Sequence, residues 1–392
     1  MEQGSAYDRF FLLTIFGLAV LIATRNNFKW SELWPKNKLF FLVLGYMLLS
    51  IIWSRFPEIS FRRWVKEAIT LGIIALALSE DSPIKSIFSA FRRAIYIAIP
   101  ISLMLIKYFP EFGRQYGRWS GEIMWVGVAT QKNGLALICI FSLIFLIWSN
   151  WDYFLNWSSV PNKLLFLTDL FIMLLSFALF LGPKRTFKYS ATSTISLMVG
   201  LVILFTFYYF KKKQKLINAN LIKISLLLII ILGIMLPFSG KVPWTKFISF
   251  FGREATLTGR TQIWSMLVPY VWKKPFLGYG EGGFWTTALR EQIESHAHNG
   301  YLDTILELGF LGLFLILIFI YASTKKFLDL AVTFNRVGIF FLCLVFMFLI
   351  HNCAESTLAS LSDFPFSFII MMSFIPKEKI LNSESEYILA AD

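Results

Sequence analysis

The stretch "YLDTILELGFLGLFLILIFIY", residues 301–321, carries two acidic residues, Asp303 and Glu307, in an otherwise uncharged and mostly apolar run. About 20 mostly apolar residues, each rising 1.5 Å in a helix, cross the hydrocarbon core of a bilayer, so this run reads as a membrane span. Comparable runs recur near 8–24, 39–54, 65–80, 87–107, 134–149, 163–182, 192–210, 221–238, 337–353 and 364–375. That makes eleven, and because the first and last are short the expected number is about 11 (10–12). The whole chain, 392 residues with 57% hydrophobic and 16% charged residues and a mean hydropathy of +0.65, fits the same class: an all-α, polytopic integral membrane protein.

The opening run follows "MEQGSAYD", which lacks a basic n-region, and no small-residue cleavage site follows it, so it reads as a retained helix. Cys139, Cys343 and Cys353 fall in or at the ends of predicted spans and offer neither a disulfide framework nor zinc-ligand spacing. The sequence has no internal repeat, and its one long interruption runs from Ser239 to Ala297. The expected organisation is helices 1–8 over residues 1–238, a large extracytoplasmic loop with an interfacial helix over 239–299, and helices 9–11 with a cytoplasmic tail over 300–392.

"KKKQK" at 211–215 is the densest basic run and abuts a span, so the positive-inside tendency places it in the cytoplasm. Alternation then puts Arg25, Lys29, Lys36 and Lys38 inside, with Lys85, Arg92, Arg93, Lys325, Lys326, Lys377 and Lys379, and puts the 239–299 loop outside. The outer side is basic as well: Arg55, Arg62 and Arg63, then Arg114, Arg118 and Lys132, then Lys184, Arg185 and Lys188, then Arg253 and Arg260. Lipid headgroups account for any one of these. Together, in a chain of net charge +13, they point to an anionic ligand handled on the outer face, with Lys132, Lys184 and Arg185 as candidates to bind it. Nucleic acid is excluded as a partner, because no basic soluble module is present to hold it.

In "GRTQIWSMLVPYVWKKPFLGYGEGGFW" (259–285), Ile263, Trp264, Leu267, Tyr270 and Val271 recur at helical spacing, which predicts an amphipathic interfacial helix begun by Arg260. An arginine there adds donors beside free backbone amides and suits phosphate oxygens. A solvated arginine after a glycine turn accounts for the spacing equally well. Gly278, Gly280, Gly282 and Gly283 permit close backbone approach, and Tyr279 among them is a candidate substrate contact. Asn299 suits an N-cap for the 301–321 span, which puts His298 at the positive end of that helix, where the dipole disfavours imidazolium and leaves the ring able to accept a proton. Spacing alone also allows a purely structural histidine. His296 and Asn299 are further substrate-binding candidates. Asp303 and Glu307, one turn apart on one helix face, suit structural partners of a basic side chain, and Gly309 and Gly312 suit close helix packing.

"GRTQIW" (259–264), "PFLGYGEGGFW" (275–285) and "SHAHNGYLDTILELGFLG" (295–312), in that order, resemble the signature of the O-antigen ligase and polysaccharide polymerase superfamily of bacterial envelopes. "SIIWSRFPEISFRR" (50–63), "TQKNGLA" (130–136) and "NCAEST" (352–357) resemble further motifs of its exopolysaccharide polymerase branch. The resemblance implies a GT-C-like glycosyltransferase of the inner membrane with its active site facing the periplasm. It implies a glycan taken from a polyprenyl (undecaprenyl) diphosphate and given to an acceptor glycan, with no cofactor and no metal, and with a chain-length regulator and a flippase as partners. It also implies that Arg260 binds the diphosphate and that His298 activates the acceptor. One departure stands out: family members often place an arginine or lysine before a threonine near the seventh span, and "YSATST" puts Ser193 there, which leaves Lys184, Arg185 or Lys188 to substitute.

The chemistry suits these residue types. A polyprenyl diphosphate leaves readily once fixed arginines stabilise its charge, and no Asp-x-Asp metal motif occurs in the chain. The acceptor hydroxyl needs a base within hydrogen-bond reach as it attacks the anomeric carbon, with inversion there. Polymerase is the favoured branch and O-antigen ligase the alternative. A transporter or flippase of the same lipid would more often show internal repeats and ionisable residues at mid-membrane, whereas here the polar residues cluster at one face.

Overall fold

Local sequence signals set the helix ends. Asn37 and Asn162 open helices at Lys38–Ser50 and Lys163–Leu181 by accepting from the backbone N–H groups of Phe40 and Leu165 at 3.3 and 2.9 Å. Pro57 starts the helix Pro57–Ser79, where its missing N–H costs nothing, and Gly182, at φ 68°, ends Lys163–Leu181. The computed structural model describes residues 6–116, 121–154, 158, 160–183, 187–239, 259–293 and 296–382. They are mainly helical, and among the described residues the only strands are the antiparallel pair Arg114–Tyr116 and Ile123–Trp125.

Among the described residues, six helices are long and apolar enough to cross a membrane by themselves: Pro83–Tyr108, Lys132–Ser149, Lys163–Leu181, Ala191–Lys212, Ala219–Phe238 and Gly300–Ala331. Each coincides with one of the expected runs. The other expected runs take different forms. Phe10–Arg25 is followed by Trp30–Lys36 at a bend of 102°, and Lys38–Trp53 and Arg336–His351 are shorter apolar helices. The run at 65–80 lies within Pro57–Ser79, so Arg62 and Arg63 sit on helix and not in a loop. The 364–375 run yields the short helix Phe366–Phe374. Leu164, Phe171 and Leu174 stand exposed on Lys163–Leu181, an apolar face that a bilayer satisfies and water does not.

The chain divides into two compact units. The first comprises Met1–Ser86, Ala219–Phe327 and Phe348–Ile380. Here Gly72 lets Pro57–Ser79 close on Phe16, and Trp64 Nε1 donates to Leu44 O at 2.9 Å. The second comprises Ile87–Asn218, Leu328–Met347 and Leu381–Asp392. Its core is aromatic, with Trp148 stacked on Phe340 at 4.6 Å and Phe88 edge-on to both. Asp169 is buried there between Tyr96 Oη (2.5 Å), Asn150 Nδ2 (2.8 Å) and Arg92 Nη2 (3.4 Å).

One feature of the first unit positions the site. The helix Gly300–Ala331 is broken at Gly309, whose φ of 70° and ψ of −178° leave the helical region. Such a break frees backbone groups that a membrane interior cannot hydrate, so protein must satisfy them. The glycine-rich loop does so. Tyr279 N donates to Leu306 O (2.9 Å), Gly280 N to Glu307 O (2.8 Å), and Tyr46 Oη to Leu308 O (2.7 Å). Phe310 N and Leu311 N donate in turn to Pro275 O (2.8 Å) and Phe276 O (3.2 Å). Gly309 is therefore a backbone break and not simply a helix-packing residue: a Cβ on it would lie 2.1 Å from Phe276 O. Gly312 does pack closely, against Leu308 and Tyr46.

Candidate active site

Three elements of the first unit meet around residues 296–299. Gly259, left-handed at φ 86°, turns the chain into the helix Arg260–Lys273, which buries Arg260, Trp264, Leu267 and Val271, the i, i+4, i+7, i+11 face. Asn299 caps the next helix by accepting from Leu302 N at 2.8 Å, while its Nδ2 donates to Gly233 O and Cys353 O, each at 3.1 Å. Beyond the helix Arg336–His351, Asn352 O accepts from Gly300 N at 2.9 Å, and Asn352 folds its own segment by pairing with Thr357.

The Ala297 peptide is pinned at both ends. Its N–H donates to the Asp303 carboxylate (3.0 Å to Oδ2), and its carbonyl accepts from Trp264 Nε1 at 2.9 Å. Trp285 Nε1 at 3.0 Å and the Ser356 hydroxyl complete the partners of Asp303. His296 and His298 flank this fixed peptide with ring centroids 4.0 Å apart. His298 has φ 51°, an uncommon backbone region for a residue other than glycine, and residues held so cluster at functional sites.

Glu355 ties the constellation together. Its Oε1 accepts from Arg260 Nη2 at 2.5 Å and its Oε2 lies 3.5 Å from His298 Nδ1. Arg260 and Glu355 are 5% and 2% exposed, whereas the His298 side chain retains 21%, so the imidazole is the open end of the chain. Burial pushes the Glu355 carboxyl up, but His298, Arg260 and His351 outweigh it and hold it at about 2. Burial pulls His296 down to about 4, helped by His298, Arg260 and Arg290 and opposed by Glu355. It also lowers Arg260, with Glu355 acting the other way. Arginine remains charged under such shifts. His296, His298 and Glu355 also bring donor atoms within 4.8 Å of one another, a spacing at which they could hold a metal ion. Arg260 competes for that role, since it already places a positive charge on one Glu355 oxygen.

Residues 186–317 match the family model for O-antigen ligase. Over 85% of its length the chain is 26% identical to the ComP-specific O-oligosaccharyltransferase of Acinetobacter baylyi, and over 69% it is 20% identical to the exopolysaccharide production protein ExoQ of Rhizobium meliloti. The chain is thus similar, over part of its length, to proteins of the O-antigen ligase and exopolysaccharide-production kind. It spans about three fifths of these relatives, 62% of the first and 60% of the second.

Of the residues singled out in the sequence, the first unit brings Arg260, His296, His298, Asn299 and Asp303 together around the 296–299 segment. Glu307 pairs with Arg63 at 3.2 Å, and Tyr279 lies in the loop that docks on the broken helix, with its hydroxyl donating to Tyr270 O at 3.3 Å. Lys132 belongs to the second unit, its Nζ 5.6 Å above the Tyr189 ring. Lys184 and Arg185 lie outside the described residues, as do residues 240–258 of the expected loop. Ser193 is buried and bonded to Ser190 (3.0 Å), which also meets Asn133 (3.2 Å), so hydroxyls bond to one another at the position where the resemblance led to the expectation of a cation.

Sequence reasoning did not assign Glu355, Arg63 or Glu281. Glu281 is 3% exposed and its carboxyl is pushed well up by burial, then by Glu307 and Glu67. The available signal for Glu355 was a carboxylate just beyond an apolar span, inside a motif already noted as "NCAEST".

Proposed function

We propose that this protein is a glycosyltransferase of the bacterial inner membrane that moves a glycan from a polyprenyl diphosphate carrier to a sugar hydroxyl on the outer face. We further propose that the acceptor is a second lipid-linked repeat unit, which makes the enzyme a polysaccharide polymerase. The observation that carries the reading is the buried chain Arg260–Glu355–His298, which ends in an accessible imidazole.

In this mechanism Arg260 grips the diphosphate with the guanidinium N–H groups that Glu355 does not occupy, and stabilises charge as the phosphate leaves. Glu355 faces Nδ1 of His298 and so leaves Nε2 to take the acceptor proton. The 3.5 Å separation is long for a hydrogen bond, and such contacts commonly tighten once substrate binds. The deprotonating hydroxyl attacks the anomeric carbon opposite the departing phosphate and inverts it. Asp303 and Trp264 fix the peptide that presents the base, and the 239–299 segment serves as the extracytoplasmic catalytic loop.

A second reading changes only the acceptor. The match to O-antigen ligase and the relative named as a ComP-specific O-oligosaccharyltransferase favour transfer onto lipid A core or onto a protein. Reconstitution with one lipid-linked repeat unit and no other acceptor separates the two. A ladder of lengthening chains supports polymerase. An unchanged substrate that yields a single conjugate once lipid A core or a protein acceptor is added replaces that reading with the second.

A further inference from the structure

In the second unit, the end of Lys132–Ser149, the end of Ala191–Lys212 and the start of Arg336–His351 surround a cavity of about 310 Å³. Its walls are aromatic, with Trp148, Trp151, Phe207 and Phe334 among them, and Lys211, Lys212 and Arg336 line it with positive charge. Asp152 is the one carboxylate in the lining. It accepts from Arg336 Nη1 at 2.8 Å. Arg336 is fixed further: its Nη2 donates to Trp148 O at 2.8 Å, and its guanidinium stands 5.7 Å over the Trp148 ring. Lys211 and Lys212 are exposed, and among the described residues neither pairs with a carboxylate. Three cations against one engaged carboxylate leave two positive charges beside an aromatic cavity.

We propose that this cavity binds the headgroup of an anionic glycerophospholipid. The charge selects an anion, but the walls select against a free hydrated one. Tryptophan and tyrosine rings sit at the level of lipid headgroups, and basic pockets between spans take anionic headgroups while adjoining apolar walls receive the glycerol and upper acyl carbons. The cavity lies at the end of Lys132–Ser149 opposite Lys132, which is the cytoplasmic end when the "KKKQK" run is inside. It uses no residue of the His298 site, so it stands apart from the proposed reaction.

The test is native mass spectrometry of the full-length protein in neutral detergent, with phosphatidylglycerol, phosphatidylcholine of the same acyl chains, and inorganic phosphate as separate probes. Wild type should retain phosphatidylglycerol in preference to phosphatidylcholine. The double variant Lys211→Gln/Lys212→Gln should lose roughly thirtyfold of that preference, the effect of two cations near a headgroup. Lys213→Gln/Lys215→Gln, which makes the same change in net charge outside the cavity lining, should keep it. Equal preference in the two double variants would overturn the proposal. So would inorganic phosphate that displaces the lipid at equal concentration, since that would mark a free-anion site.

Discussion

Arg260 Nη2 lies 2.5 Å from Glu355 Oε1, with both side chains almost fully buried. Charges desolvated to this extent depend on each other, and removing one partner of such a pair typically costs about 3–5 kcal/mol. Glu355→Gln keeps the volume and deletes the charge, so it should both destabilise the protein and slow transfer. Thermal inactivation in detergent reads the first effect and turnover of lipid-linked substrate the second. A variant equal to wild type in both would show that the pair matters to neither.

His298 and Arg260 should fail in different ways. His298→Ala removes the proposed base and should lower turnover roughly 10²- to 10⁴-fold while donor lipid still binds. Arg260→Lys keeps a positive charge but loses the planar fork, so donor binding should weaken as well. Donor-lipid binding measured beside turnover separates the two, and undiminished donor affinity in both Arg260→Lys and Arg260→Ala would count against a diphosphate role.

These two residues were legible as candidates through the motifs that resemble a known family, since their local signals, a glycine before a helix start and a histidine one place before an Asn cap, suit a structural role as well. Glu355 was not, since it reaches Arg260 across 95 positions and only the folded chain pairs them. The same limit applies to Arg63, which meets Glu307 across 244 positions. Hydropathy located the 301–321 span but not its break, because composition carries no backbone angle and a glycine in "ELGFLG" suits close packing just as well.

Gly309 offers a direct test of that break. Its φ of 70° disfavours any side chain, and a Cβ there would approach Phe276 O to 2.1 Å, backbone that cannot give without moving the loop. Gly309→Ala should therefore displace residues 275–283 and reduce stability by at least about 1–3 kcal/mol. Gly45 is the control, as it lies within the helix Lys38–Ser50 with open space around its Cβ position, so Gly45→Ala should be neutral or mildly stabilising. Thermal inactivation of both variants checks the contrast, and comparable behaviour would remove the structural role given to Gly309.

Stability should also fall with pH in two stages. His296 titrates near 6.5 when unfolded and at about 4 when folded, mainly through burial. Between those values the unfolded chain binds a proton that the folded chain refuses, so its contribution is complete above about 6.5 and drains away as pH falls toward 4. Glu355, held at about 2 against 4.5 unfolded, contributes above 4.5 and loses that contribution as pH falls toward 2. His296→Gln should lessen the first stage and leave the second. A profile of inactivation rate against pH that is unchanged by this substitution would contradict the assignment.

His296, His298 and Glu355 present donor atoms within 4.8 Å of one another, and two imidazoles with a carboxylate are ligands that zinc accepts. The proposed reaction assigns the electrostatic task to Arg260, whose charge already sits on Glu355, so turnover should persist in EDTA. Added zinc should act as an inhibitor, because coordination takes the lone pair that His298 needs to receive the acceptor proton, and EDTA should reverse it. His296→Ala should weaken this inhibition by removing one ligand while leaving the base in place. If instead EDTA abolishes transfer and a divalent ion restores it, the metal belongs to the mechanism and Arg260 is not the group that carries the leaving charge.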